Sequence, residues 1–229
     1  MSSIPPLDEQ DPQVETPGGD LATPARPRRP RYLVVAVLMA LVFGAGCWTE
    51  GCGRLAFYRS DVDLGAAQNA VIADEADRGR AEALYQRFMA ASDQQKGRAI
   101  PLAAATFVLG AALLALGSRS MSGRVNSRKI LIQLVAAQAI VVAVGFFATR
   151  DIQRAELDWQ LERTLMLQRP GMPPEDFAQF SPAVRAVGHL VPTGWLAFRT
   201  LASALIILAL TRPRARAFFD SAAASPATE

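Results

Sequence analysis

Apolar positions fall into four unbroken stretches, Tyr32 to Trp48, Ile100 to Ser118, Ile130 to Ala148 and Thr193 to Thr211, and nearly all charge lies between them. Each stretch holds 17 to 19 residues, none contains an acid, and together they carry one base, Arg199. A helix rises about 1.5 Å per residue and a bilayer's hydrocarbon is about 30 Å thick, so each stretch is long enough for a transmembrane helix. The pattern predicts an all-α integral membrane protein, a four-transmembrane-helix bundle. A soluble core, a nucleic-acid module and a secreted mini-protein are poor fits to it.

The segments between the stretches have their own periodicity. Residues 49–99 read as an extracytoplasmic helical loop, helical from about Asp61 to Ser92 and weakest between Ala73 and Arg80, where charge is dense and Gly79 lowers helix propensity. Beyond that point Ala81, Leu84, Tyr85, Phe88 and Met89 share a helix face. In residues 149–192, Ile152, Ala155 and Trp159 form one row and Leu157, Leu161 and Leu165 another. No proline interrupts Ile130 to Arg169, so the third span is expected to continue as one rod of about 40 residues, about 60 Å long. Arg169-Pro170-Gly171 should end it, and Pro173-Pro174 with Glu175 and Asp176 should start a short helix. Apolar faces in water must be covered, so the two loops are expected to pack on each other as a small extracytoplasmic helical layer. Pro101 and Pro192 each fall near the start of a span, where proline suits a first helical turn.

Charge sets the orientation. Arg26, Arg28, Arg29 and Arg31 precede the first span; Arg119, Arg124, Arg128 and Lys129 crowd the loop of residues 119–129; Arg212, Arg214 and Arg216 follow the fourth span. The two longer loops balance seven bases against eight acids and five against six. Basic flanks stay in the cytoplasm, so both termini are expected inside a cytoplasmic (inner) membrane and both long loops outside. Tyr32, Trp48 and Trp195 sit at span ends, as interfacial aromatics do. The tail of residues 1–31, with seven prolines and five acids, is expected to be disordered, and residues 212–229 to be loose. Gly44-Ala45-Gly46-Cys47 loosely resembles a lipoprotein cleavage box. Gly44 stands where leucine is usual, however, and the first span is read as retained.

Composition, 51% hydrophobic and 20% charged with a net charge of +3, adds little to this pattern, and candidate chemistry is sparse. Cys47 and Cys52 are the only cysteines, both at the outward rim. They form a small disulfide loop if the helix ends near Cys47, as Gly51 and Gly53 permit; otherwise Cys47 is a buried small hydrophobe and Cys52 a free thiol. Arg199 lies about 9 Å below the outer rim, shallow enough to snorkel or to pair with Glu50. Gln133 and Gln138 in the third span fit interhelical hydrogen bonds or a polar path. Ala103, Thr106, Gly110 and Gly117, and likewise Ala136, Ala139 and Ala143, form small-residue seams for close helix contact. Trp159, about 16 Å beyond the third span, is either core of the outer layer or the anchor of an outer interface.

His189 is the only histidine, and no phosphate-loop or dinucleotide fingerprint occurs, so the sequence implies no catalytic residue, no metal and no cofactor. The expected function is a non-catalytic scaffold, assembly or accessory subunit. Its partners would be the lipid bilayer and another envelope protein or a second copy of the chain, with no nucleic acid. The alternatives are a small transporter or channel using Arg199, Gln138 and Gln133, and a ligand sensor.

Overall fold

The computed structural model describes residues 30–60, 64–120 and 125–224, so the tail of residues 1–29 and most of the basic turn before Val125 lie outside the described residues. Among those described, the chain is almost wholly helical and has no strand. The helices are α1 (Arg31–Arg59), α2 (Leu64–Asn69), α3 (Glu75–Ser120), α4 (Val125–Ala148), α5 (Arg150–Gln168), α6 (Pro174–Thr211) and α7 (Pro213–Ala224), with a 3-10 turn at Arg169–Gly171 between α5 and α6. Four of them, α1, α3, α4 and α6, are long and apolar enough to cross a membrane.

These four form a ring in chain order, α1 against α3, α3 against α4, α4 against α6 and α6 back against α1. The tightest crossing joins α1 to α3. A methyl group placed on Gly110 would lie 2.5 Å from the backbone nitrogen of Trp48, and one on Gly51 would lie 2.6 Å from that of Phe107. Only glycine lets the two backbones approach this closely. The seam anticipated on the second span is therefore matched on α1 by Ala36, Ala40, Gly44, Cys47 and Gly51, all buried at helical spacing.

One end of the ring carries the folded layer. Its core is Tyr85, Phe88, Ala99, Ile152 and Trp159, with Phe57 and Leu84 against it. The break before α3 falls at residues 70–74, beside the predicted weak point, and Asp74 caps the new helix by accepting from the Asp77 amide at 2.9 Å. The turn at Arg169–Gly171 and the helix start at Pro174 fall where Pro170-Gly171 and Pro173-Pro174 place them, but the helix begun there is not short: it runs unbroken to Thr211 as α6. Arg185 grips Glu162 through two bonds of 2.6 and 3.1 Å, tying α6 to α5 across the surface.

The structure corrects several expectations. The 40-residue rod is two helices, because Thr149 leaves helical geometry (φ −114°, ψ 23°) while its hydroxyl donates to the Gly145 carbonyl at 2.8 Å. Back-bonding of this kind bends helices. Pro101 and Pro192 sit well inside α3 and α6 instead of at their starts. Both helices begin far outside the apolar stretches, since the layer packs their outer turns. The segment after Arg212, expected to be loose, forms α7, with Ala215, Phe218 and Phe219 buried against Leu33, Leu131 and Leu210 at the arginine-rich end. Composition had masked an apolar face spaced i, i+3, i+4.

Candidate functional site

The helix α1 passes through both cysteines without a break and ends at Arg59. Residues five apart on one helix point in different directions, so Cys47 is buried, Cys52 is exposed, and both thiols are free. The disulfide that Gly51 and Gly53 would have allowed is not formed. Those glycines do not end the helix, because Gly51 is spent on the close contact with Phe107.

Cys47 is instead the centre of a polar knot. Gln138 of α4 donates to the Cys47 Sγ at 2.7 Å and to the Phe43 carbonyl at 3.2 Å. The Arg199 guanidinium of α6 donates to the same sulfur and reaches the Glu50 carboxylate at 3.3 Å. Glu50 is shared, since Arg54 one turn further along α1 also contacts it at 3.3 Å. Arg199 is only 11% exposed, so its charge is held inside the bundle by a partner on α1, as the Glu50 pairing anticipated. Gln133 is exposed on the other side of α4 and takes no part. The three polar residues of the spans therefore do not line one path.

Above the knot the ring opens into a chamber of about 350 Å³. Its lower walls are apolar, including Leu102, Val141, Val142 and Phe146, and its upper rim carries Glu50, Arg54, Glu156 and Arg199. Glu50, Trp195 and Arg199 also border a second cavity, a groove of about 520 Å³ between α1 and α6 that is otherwise almost wholly apolar. Burial pushes the Glu156 carboxyl above the usual carboxylate range, with nearby Arg54 pulling back and Glu50 adding to the rise. The sequence reading missed Arg54 and Glu156. Their signal was present, because Thr149, Gln153, Glu156 and Gln160 recur at helical spacing as a polar stripe and Glu50 and Arg54 are four apart.

Trp159 is 6% exposed and belongs to the core of the layer, not to a free interface. It stacks on Phe88 at 6.0 Å, and its Nε1 donates to Asn69 at 3.2 Å. Asn69 in turn donates to Glu82, so α2 is pinned between α3 and α5. His189 faces Asp158 at 3.6 Å on the surface. Among the described residues no three His, Cys, Asp or Glu side chains are grouped to hold a metal ion.

Outside the knot, α6 presents a ridge. Phe180, Val184, Val187, Val191, Gly194, Phe198, Leu201, Leu205 and Leu208 alternate steps of four and three, a heptad pattern sustained over four repeats. The side chains of Val187, Val191, Phe198, Leu201, Leu205 and Leu208 are 48% to 62% exposed. No protein-family model, curated protein or solved structure matches the chain.

Proposed function

We propose that the chain is a multi-pass inner-membrane assembly or accessory subunit, with both termini cytoplasmic, that binds another helix-bearing envelope protein through α6. The four apolar helices and the arginines flanking Tyr32, Ile130 and Thr211 support insertion in that orientation. The observation that carries the assembly role is the α6 ridge. A face that met only lipid would end at the headgroups, which Trp195 marks. This one continues fifteen residues further to Phe180, about 22 Å, with Val187, Leu190 and Val191 bare. Apolar surface of that extent in water is covered by a partner.

The transport alternative draws no such support. Its polar residues are consumed in the knot or, for Gln133, lie on the far side of α4. A photo-crosslinking residue placed at Val187 or Leu190 in intact cells tests the reading. Protein adducts are expected there, and they should disappear when Val191 is replaced by Arg. Adducts equal to those from a control position at Ala178, or lipid adducts alone, would contradict it.

A further inference from the structure

A groove of about 560 Å³ opens in the folded layer, where α3, α5 and α6 meet. Its charged groups are Arg80 and Arg87 from α3, Asp158 and Glu162 from α5, and Arg185 and His189 from α6. Three guanidinium groups face two carboxylates, so the groove is positive even with both acids ionised and His189 neutral. Both carboxylates are also engaged by α6, Glu162 with Arg185 through bonds of 2.6 and 3.1 Å and Asp158 with His189 at 3.6 Å. The α3 arginines have no such partner: among the described residues neither makes an ion pair or a side-chain hydrogen bond. Their own helix cannot supply one. At three and four residues from them stand Ala76, Ala83, Leu84, Ala90 and Ala91, and the one acid, Asp77, is held by Arg169 at 3.1 Å. Two helical turns, about 10 Å, separate Arg80 from Arg87, and Ala83 and Leu84 lie between them with Leu161 of α5 completing an apolar floor.

We propose that this groove docks an acidic segment of another polypeptide, one that carries two carboxylates about 10 Å apart on either side of an apolar side chain. Along α3 the groove reads positive, apolar, positive, and such a segment is its complement. A free anion would answer the arginines and leave the floor of Leu84 and Leu161 bare, and an apolar segment would do the reverse. Arg87 and Arg80 stand thirteen and twenty residues before Ile100, about 20 and 30 Å along α3 from the apolar stretch. A headgroup layer is only about 5 to 8 Å deep, so lipid does not reach them. Arg185 and His189 line the groove from the side of α6 that faces α5, so the groove is separate from the α6 ridge and does not depend on what covers it.

One exposed position gives a test that leaves the core untouched. Ala83 stands three residues after Arg80 and four before Arg87, so Ala83→Glu offers both arginines a carboxylate from their own helix. The full chain in neutral detergent is titrated, by fluorescence anisotropy, with a labelled helical peptide that carries two glutamates seven residues apart around a leucine. Two analogues serve as controls, one with glutamine for both glutamates and one with serine for the leucine. The acidic peptide should bind saturably and more tightly than either analogue. Ala83→Glu should weaken it about tenfold while Ala83→Gln leaves it unchanged, since the first answers two arginines at once. Arg80→Gln and Arg87→Gln should each weaken it about threefold to fivefold, the worth of one exposed ion pair, and Arg59→Gln, outside the groove, should not. No saturable binding, equal binding of either analogue, wild-type binding by Ala83→Glu, or an equal loss in Arg59→Gln would overturn the assignment. So would full displacement of the peptide by an equal concentration of inorganic phosphate or phosphatidylglycerol, which would give the groove to a free anion or to the membrane.

Discussion

Single residues carry two different kinds of weight in this molecule. Trp159 is structural, since it joins α5 to α3 through Phe88 and to α2 through Asn69. Trp159→Ala should lower stability by about 3 to 5 kcal/mol, and Trp159→Phe by about 1 to 3 kcal/mol, because the second keeps the packing but strands Asn69. Thermal unfolding in detergent reads both. Glu156 carries a cost instead. Its carboxyl, facing Arg54, Glu50 and Gln160, is pushed up by burial, so the folded chain holds the proton more tightly than the unfolded chain does. Stability therefore falls as pH rises from the ordinary carboxylate range through the raised value, and the full penalty applies above it. Glu156→Gln should be more stable than the wild type at neutral pH and no more stable below pH about 4, where a free carboxyl is also protonated. Equal melting curves at pH 7 would contradict the assignment. The Arg199 contact with Glu50 was legible as a lone intramembrane base opposite a nearby acid. The contact with Cys47 was not, because nothing in a sequence tells which faces of three helices meet.

Whole helices were legible where one solvent decided their pattern and illegible where a neighbour did. The four apolar stretches stand out because all their positions share one property, the one a helix crossing lipid would need. The ends of α1, α3 and α6 do not stand out, because they extend into the layer and are held there by packing. Gly51 was read as permission for the helix to stop, yet in the fold it is a contact surface for α3. Gly51→Leu or Gly110→Leu should accordingly force α1 and α3 apart and cost roughly 1 to 3 kcal/mol or more. A cysteine cross-link between these helices should form less readily in either variant. The α7 helix was hidden by an alanine- and serine-rich tail, and its evidence is Phe218 and Phe219 against Leu131 and Leu210. Replacing both phenylalanines with serine should free α7, seen as faster proteolysis after Arg212 in purified protein, with α1 to α6 unaffected. Unchanged proteolysis would mean that these rings do not hold it.

At the scale of the molecule, three features follow one another along the bundle axis: an apolar core closed by α7, a polar knot around Cys47, and a chamber roofed by a layer with its own aromatic core. The two ends differ sharply in sequence, one flanked by arginines and the other carrying the nearly neutral loops, and the proposed orientation rests on that difference. The function of each end depends on that orientation. The native thiols supply the most direct measurement of it. Cys52 is exposed at the layer end of α1, while Cys47, five residues away, is buried. A membrane-impermeant maleimide added to intact cells should label Cys52 and leave Cys47 untouched, and a single cysteine introduced at Asp220 of a cysteine-free chain should react only after permeabilisation. Labelling of the Asp220 position in intact cells, with Cys52 protected until the membrane is opened, would contradict the account.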